Sequence, residues 1–268
     1  MNSRPQFAAS FPSGSAILIV VHVENRDQTL RSIEAAVTGG ADGCFLIQHR
    51  EDQVLLRKMY RAARRAFPNF WTGLNFLGKG PASAARLATC QPRGERRKML
   101  GVGEVPTPDG LWVDNPLAVE QFDWEVRSCR GPYPAEFLDI HAPEISVHAG
   151  GEGNLLPSSL YFAGAGFKYQ GDKGVSLEEE CRIVKRRSDV VTTSGDRTGQ
   201  PPTVQKIERI RWAIGPEMPL AIASGISAKN VRQFMPLAQA FLVASSVTDP
   251  GELTNAEKVR ELVGAAKS

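Results

Sequence analysis

The sequence predicts an α/β protein that folds as a single (β/α)8 TIM barrel. Apolar runs rich in β-branched residues alternate with helical patterns along the chain. The alternation occurs about eight times, which is the number of units that closes a parallel barrel. The length of 268 residues agrees with the roughly 250 that this fold needs. No linker interrupts the pattern, so residues 1–268 are predicted to form one domain.

The strands are predicted from short apolar runs, and each is followed by a helix whose apolar residues recur every three or four positions. The predicted strands are Ala16–Val23, Gly43–Gln48, Phe70–Leu77, Leu111–Asp114, Leu160–Tyr169, Asp189–Ser194, Leu220–Ser224 and Phe241–Ser245. The predicted helices are Gln28–Thr38, Leu55–Ala66, Ala82–Thr89, Leu117–Ser128, Leu177–Arg186, Val204–Ile214, Ala228–Leu237 and Ala256–Ala266.

Two segments fall outside this repeat. Residues 1–14 contain Ser and Pro and are predicted to be a loose N-terminal arm. Residues 132–157 are rich in Gly and Pro and are predicted to be an irregular insertion before strand five. A ninth short strand at Ile145–His148 stays open.

Composition narrows the class of protein. The formal net charge is +3, which is weak support for a nucleic-acid partner. No run approaches the ~18 apolar residues of a membrane span, and residues 1–14 lack the order of a signal peptide. The four cysteines form no CxxC pair, which favours reduced thiols in a cytoplasmic protein without structural zinc. A homo-oligomer stays open.

A basic run lies on the second predicted helix. Its members are Arg57, Lys58, Arg61, Arg64 and Arg65. We interpret the run as a solvated helix face, with an RNA-binding stripe as the alternative. No nucleic-acid partner is therefore predicted.

A phosphate site is predicted where the last two strands end, because ligands of this fold bind at the C-terminal mouth. Gly225 follows strand seven, between Ser224 and Ser227, and Ser227 is a plausible N-cap for the next helix. Ser245 and Ser246 follow strand eight. Backbone N–H groups and a helix N-terminus would bind the anion there. The alternative is that these are ordinary turn residues.

Lys168 is the first candidate for chemistry at the mouth. It shares one strand parity with Gly164 and Gly166, which would leave it room to extend inward. It could form a Schiff base, act as a base, contact an anionic substrate group or pair structurally with Asp114 or Asp196.

Other strand ends supply further candidates. His22 could be a general acid or base, or a structural histidine. Asp114 could bind a ribose hydroxyl, a metal ion or a proton, but one carboxylate does not support a metal site, and no cofactor is predicted. Asn75 lies in strand three, and His49 follows strand two.

The loop after strand six is compact and polar, so it could close over a ligand. The residues predicted to contact substrate here are Thr193, Ser194, Asp196, Arg197 and Thr198. The alternative is a rigid turn.

Three segments resemble the BtpA-like family. They are residues 189–202 (DVVTTSGDRTGQPP), 222–231 (IASGISAKNV) and 241–246 (FLVASS), with looser matches at 21–23, 73–75 and 110–115. The resemblance implies a phosphate-binding barrel of poorly defined activity, with some members linked to photosystem I assembly. The chain departs from the family at Tyr169, where a histidine after the lysine is expected, and in the longer stretch 132–157.

These observations predict an enzyme that acts on a small phosphorylated metabolite by lyase, isomerase or phosphoribosyl-type chemistry. Lys168, Asp114, His22 and Asn75 would carry the reaction. The alternative is a non-catalytic binding or assembly factor of the BtpA kind.

Overall fold

The fold is a closed barrel of eight parallel strands, seen in a computed structural model that describes residues 4–89, 106–117, 156, 158–170, 173–251 and 253–267. The strands pair in chain order, and β1 pairs with β8. They are β1 Ala16–His22, β2 Gly43–Ile47, β3 Trp71–Asn75, β4 Gly110–Val113, β5 Leu160–Gly164, β6 Val190–Thr193, β7 Leu220–Ile222 and β8 Ala240–Val243. This confirms the predicted TIM barrel.

Helices surround the barrel and follow most of the strands. They are α1 Arg4–Ser10, α2 Arg26–Thr38, α3 Gln53–Ala66, α4 Pro81–Thr89, α5 Leu177–Lys185, α6 Val204–Ile214, α7 Val231–Phe234 and α8 Ala256–Lys267. The helix predicted at 117–128, the insertion at 132–157 and the possible ninth strand lie almost entirely outside the described residues. No helix among the described residues is long and apolar enough to cross a membrane.

Aromatic side chains fill the interior of the barrel. The Phe45 ring packs edge-to-face against Trp71 and Phe162, with centroids 5.2 and 5.1 Å apart. Glycines make room for these rings, since a Cβ on Gly73 would lie 2.3 Å from Phe45 and one on Gly110 would lie 2.4 Å from Trp71. The interior is therefore a packed core, and a ligand can enter only at an end.

The N-terminal end of the barrel is closed by α1. Phe7 and Phe11 are buried there, and the Phe11 ring lies 5.3 Å from that of Trp71. The prediction of a loose arm over residues 1–14 is therefore wrong for this segment. The segment is ordered because Phe7 and Phe11 are four residues apart. This spacing puts both rings on one side of the chain, where they cover the N-terminal end of the barrel.

The basic run on α3 is not a uniformly solvated face. Arg57 and Arg61 are buried, Arg64 is half-buried, and only Lys58 and Arg65 are exposed. Burial and, to a smaller extent, the nearby Arg61 charge lower the pKa of Arg57 to about 10. Each helix of a barrel lies between two neighbours, so only a narrow stripe faces water. The broken stripe also removes the feature on which the RNA alternative rested.

Candidate functional site

The C-terminal mouth holds a cavity of about 760 Å³. Its floor is apolar, and its rim is formed by polar residues at or after the C-terminal ends of the eight strands. The polar lining residues include His22, His49, Asp114, Asn115, Lys168, Thr198, Ser224, Ser227, Ser245 and Ser246. The fold therefore brings most of the predicted site residues into one cavity.

Asp114 follows β4 and is held by Asn75, the last residue of β3. The Asn75 Nδ2 donates to Asp114 Oδ1 at 3.0 Å, and Asn75 is fully buried. Burial raises the pKa of Asp114 to about 6, although the Asn75 hydrogen bond and the charges of Lys168 and His49 lower it. A carboxyl group with this pKa can give or take a proton near neutral pH.

Two histidines lie beside each other across the ends of β1 and β2. The rings of His22 and His49 are edge-to-face, with centroids 4.6 Å apart and planes at 86°. Both line the cavity, which makes them candidates for acid–base chemistry. Among the described residues, no group of three His, Cys, Asp or Glu side chains could hold a metal ion.

Lys168 points from the turn after β5 toward the loop after β7. Its Nζ donates to Ser224 Oγ at 3.0 Å and to Thr198 Oγ1 at 3.2 Å. Burial lowers the pKa of this ammonium group, and Tyr169 and Asp114 act in the opposite direction. Within the described part of the chain, Lys168 forms no ion pair with Asp114 or Asp196. Its hydrogen bonds are to hydroxyl groups, and its Nζ also lies 5.9 Å from the centroid of the Tyr169 ring.

Strand five is shorter than predicted. It ends at Gly164, and the chain then turns through Gly166 and Tyr169, whose φ values are +55° and +61°. A Cβ on Gly164 would lie 1.9 Å from the Asp114 carbonyl oxygen, so this glycine lets two backbones approach. The parity argument for Lys168 is thus wrong, because Lys168 reaches the cavity from a turn rather than from a strand.

A second lysine holds this turn in place. The Nζ of Lys206, in the first turn of α6, donates to the carbonyls of Gly166 at 2.6 Å and Ser194 at 2.7 Å. The Ser194 Oγ in turn accepts the Lys168 N–H at 2.8 Å. Burial lowers the pKa of Lys206. Sequence reasoning missed this residue because a lysine on an amphipathic helix has the pattern of a solvated side chain.

The loop after β6 divides into two parts. Thr193 and Ser194 are fully buried, whereas Asp196 and Arg197 are exposed and lie outside the cavity lining. Of the five predicted contact residues, Thr198 alone lines the cavity, next to Gly199, and its N–H donates to the Tyr169 hydroxyl at 3.3 Å. The first two residues therefore support the Lys168 turn, and the structure does not place the next two against a ligand in the cavity.

The loops after β7 and β8 are joined and carry unused N–H groups. The Ser246 Oγ donates to the Ile226 carbonyl at 2.6 Å, which links the two loops. Among the described residues, no intramolecular acceptor takes the backbone N–H of Gly225, Ser245 or Ser246. All three residues line the cavity, so these donors are available to an anion.

Gly225 has a different local role from the predicted one. Its φ is +64°, and a Cβ there would lie 2.1 Å from the Pro201 nitrogen. Glycine is therefore required by the loop conformation and by the close approach of residues 200–201. A bulky substitution at this position would displace that loop as well as any ligand.

The helix after β7 also differs from its prediction. The Ser227 N–H donates to Asn230 Oδ1 at 2.8 Å, and Asn230 Nδ2 donates to the Gly225 carbonyl at 2.8 Å. These bonds form a turn, and α7 is limited to Val231–Phe234. Ser227 is thus not an N-cap, and one short helical turn supplies little of the predicted dipole.

Residues 173–268 match the family model of the BtpA family. This match confirms the resemblance for the part of the chain that carries α5, β6 and the elements after it. No curated protein matches the chain in sequence.

Solved structures of similar fold have low sequence identity to this chain. One is described as a native KDPGal structure, with 12% identity, 94% of each chain covered and a TM-score of 0.57. Another is phosphoribosyl anthranilate isomerase from Thermus thermophilus, with 13% identity, 94% and 98% covered and a TM-score of 0.53. A third is thiamine phosphate pyrophosphorylase from Pyrococcus furiosus, with 12% identity, 95% and 96% covered and a TM-score of 0.50. At these identities the likeness shows the fold alone.

Proposed function

We propose that this BtpA-like barrel binds a small phosphorylated metabolite at its C-terminal mouth and acts on it as an enzyme. The observation that carries the proposal is the bond from Lys168 Nζ to Ser224 Oγ, at 3.0 Å. It brings a half-buried cation to the loops whose N–H groups have no intramolecular acceptor among the described residues. Backbone donors together with a cation are the usual ligands of a phosphate in proteins.

The phosphate would lie against Gly225, Ser245 and Ser246, with Lys168 beside it. Among the described residues, Lys168 Nζ forms hydrogen bonds to hydroxyl groups and no ion pair with a carboxylate, so its charge stays available to an anionic group. The Lys206 bonds fix the turn that carries it, which reduces the entropy lost when the ligand binds. This arrangement supports the substrate-contact role of Lys168 more strongly than the structural ion pair.

Acid–base chemistry on the bound metabolite would involve Asp114. Its pKa of about 6 allows both protonation states near neutral pH. His22 and His49 lie in the same cavity and could assist proton transfer. These groups suit lyase, isomerase or phosphoribosyl-type reactions, all of which move protons beside a phosphorylated carbon skeleton.

Calorimetric titration with inorganic phosphate tests the binding step. Lys168→Met keeps the apolar stem and removes the charge, so we expect the variant to fold and its phosphate affinity to fall about 10- to 150-fold. This range corresponds to the roughly 1.5–3 kcal/mol of a charged hydrogen bond. Lys185→Met, on the exposed face of α5, is the matched control and should bind like the parent protein. Equal phosphate affinity in all three proteins would contradict the proposal.

Turnover of phosphorylated metabolites tests the catalytic step. Asp114→Asn should abolish turnover and keep phosphate affinity within about threefold, because the amide still accepts the Asn75 hydrogen bond. Borohydride trapping with carbonyl substrates separates a Schiff base on Lys168 from charge recognition. Phosphate binding without turnover of any metabolite would instead support the binding or assembly factor.

A further inference from the structure

The floor of the cavity is apolar, in contrast to its rim. Its lining side chains include Val20, Ile47, Trp112, Phe167 and Leu242. Each of them is less than 8% exposed, so the surface that a ligand would meet is apolar and continuous with the barrel core. A ligand that fills the cavity must therefore cover this floor with a matching part of its own.

Two of these side chains are aromatic and adjacent. The rings of Trp112 and Phe167 are edge-to-face, with centroids 5.9 Å apart and planes at 65°. Phe167 directly precedes Lys168 in the turn after β5, so the apolar floor and the cation meet at consecutive residues. Aromatic pairs in this geometry leave ring faces and edges against which a further ring can pack.

A hydroxyl-rich chain is a poor match for this floor. Its hydroxyl groups would lose hydrogen bonds to water and meet Val20, Ile47 and Leu242, which offer no side-chain partners. A three-carbon phosphate would also fill only a small part of about 760 Å³, a volume typical of sites for larger ligands. An apolar ring loses no hydrogen bond on entering and gains contact with both aromatic residues.

We infer that the ligand is a phosphate monoester whose other end carries a planar, largely apolar ring. The inference rests on the proposed function, because the phosphate loops and Lys168 orient the ligand. The ring lies on the floor against Trp112 and Phe167, and the phosphate lies at the rim against Gly225, Ser245 and Ser246. Asp114 is then beside the middle of the ligand.

Calorimetric titration with three probes tests the inference. Inorganic phosphate reports the rim, glycerol phosphate adds a hydroxylated chain, and phenyl phosphate adds a ring. We expect phenyl phosphate to bind at least about tenfold more tightly than inorganic phosphate, and glycerol phosphate to bind within about threefold of it. Inorganic phosphate should displace phenyl phosphate, because both use the same rim.

Floor variants assign the preference to these residues. Phe167→Leu removes a ring, and Val20→Thr adds a hydroxyl group at nearly constant shape. Each should reduce the phenyl phosphate preference to less than about threefold and leave the affinity for inorganic phosphate unchanged. Trp212→Phe is the matched control, since Trp212 is 73% exposed and lies outside the cavity. Because the two floor variants alter different strands and loops, failure of one to fold still leaves the other as a test.

The outcomes separate the inference from the proposed function. Phosphate binding with no preference for phenyl phosphate, or a preference that both floor variants keep, would overturn the ring site and leave the phosphate site standing. Phenyl phosphate that phosphate cannot displace would also overturn it, because the ring would then bind elsewhere. No binding of inorganic phosphate by the parent protein would overturn the proposed function itself.

Discussion

The two ends of the barrel treat their polar groups differently. At the N-terminal end, Asp109 accepts bonds from Arg64 Nη1 at 2.8 Å and from the Thr72 N–H at 2.7 Å, and Arg64 also bonds the Phe70 carbonyl. At the C-terminal mouth, Lys168 Nζ is hydrogen-bonded to hydroxyl groups and forms no ion pair among the described residues, and N–H groups of two loops have no acceptor there. The Asp109 carboxylate at one end is thus paired with a cation, whereas a lysine and three backbone N–H groups at the other end are available to a ligand.

This difference implies that the N-terminal end contributes mainly to stability and the C-terminal mouth mainly to ligand binding. Changes at the N-terminal end should lower stability and leave phosphate affinity unchanged, because the proposed phosphate site lies at the opposite end of the barrel. Changes at the mouth should alter affinity or its pH dependence, with smaller costs in stability. The following variants test this division, from the largest expected effect to the smallest.

Phe11→Ala tests the closed end. Phe11 is buried between Phe7 and Trp71, with ring centroids at 5.1 and 5.3 Å. Removing this ring should lower the free energy of unfolding by about 3–5 kcal/mol, as measured by denaturant titration. Phosphate affinity per folded molecule should not change. A large loss of affinity would show that the two ends are coupled.

Lys206→Met tests the support beneath Lys168. Losing the bonds to Gly166 and Ser194 should lower the free energy of unfolding by about 1.5–3 kcal/mol and also weaken phosphate binding, because the Lys168 turn is released. Lys206→Arg should restore part of the free energy of unfolding and part of the phosphate affinity. If the Met variant loses stability but binds phosphate normally, Lys206 has no part in positioning Lys168.

Sequence predicted the barrel well because each strand carries a local apolar run bounded by turn residues. It failed where the structure depends on distant partners. Lys206 acts through carbonyls 40 and 12 residues away, and Asn230 forms a turn where the apolar pattern alone predicts a helix. The end of β5 was predicted too late because the turn through Gly166 and Tyr169, both with positive φ, is not visible in hydrophobic periodicity. The sequence could therefore predict which residues lie near the strand ends. It could not predict the hydrogen bonds that orient their side chains.

Asp114→Asn tests the electrostatics of the mouth. The pKa of Asp114 is raised from 3.8 to about 6 in the folded protein, so the folded state holds this proton more tightly than the unfolded chain. Between about pH 4 and 6, ionisation of Asp114 therefore lowers the free energy of unfolding as the pH rises. The asparagine side chain cannot ionise, so the variant does not lose stability in this range. The free energy of unfolding of the variant minus that of the parent should therefore increase by about 1–3 kcal/mol from pH 4 to pH 7. A difference that does not vary with pH would show that Asp114 is not desolvated.

Ser246→Ala tests the link between the two phosphate loops. The lost bond to the Ile226 carbonyl should cost about 1 kcal/mol of stability and weaken phosphate binding several-fold, because the N–H groups of the two loops are no longer aligned. Ser13→Ala is the matched control, since Ser13 is exposed and its hydroxyl bonds only the nearby Ser15 carbonyl. Equal phosphate affinity in both variants would mean that this link does not organise the site.

The central claim is that the mouth keeps backbone donors for a phosphate. Amide ¹H–¹⁵N NMR during titration with inorganic phosphate tests it most directly, because each N–H reports separately. The largest shifts should occur at Gly225, Ser245 and Ser246, should saturate together and should be much smaller in Lys168→Met. Saturable shifts centred on the arginines of α3 instead, with these three amides unmoved, would contradict the claim.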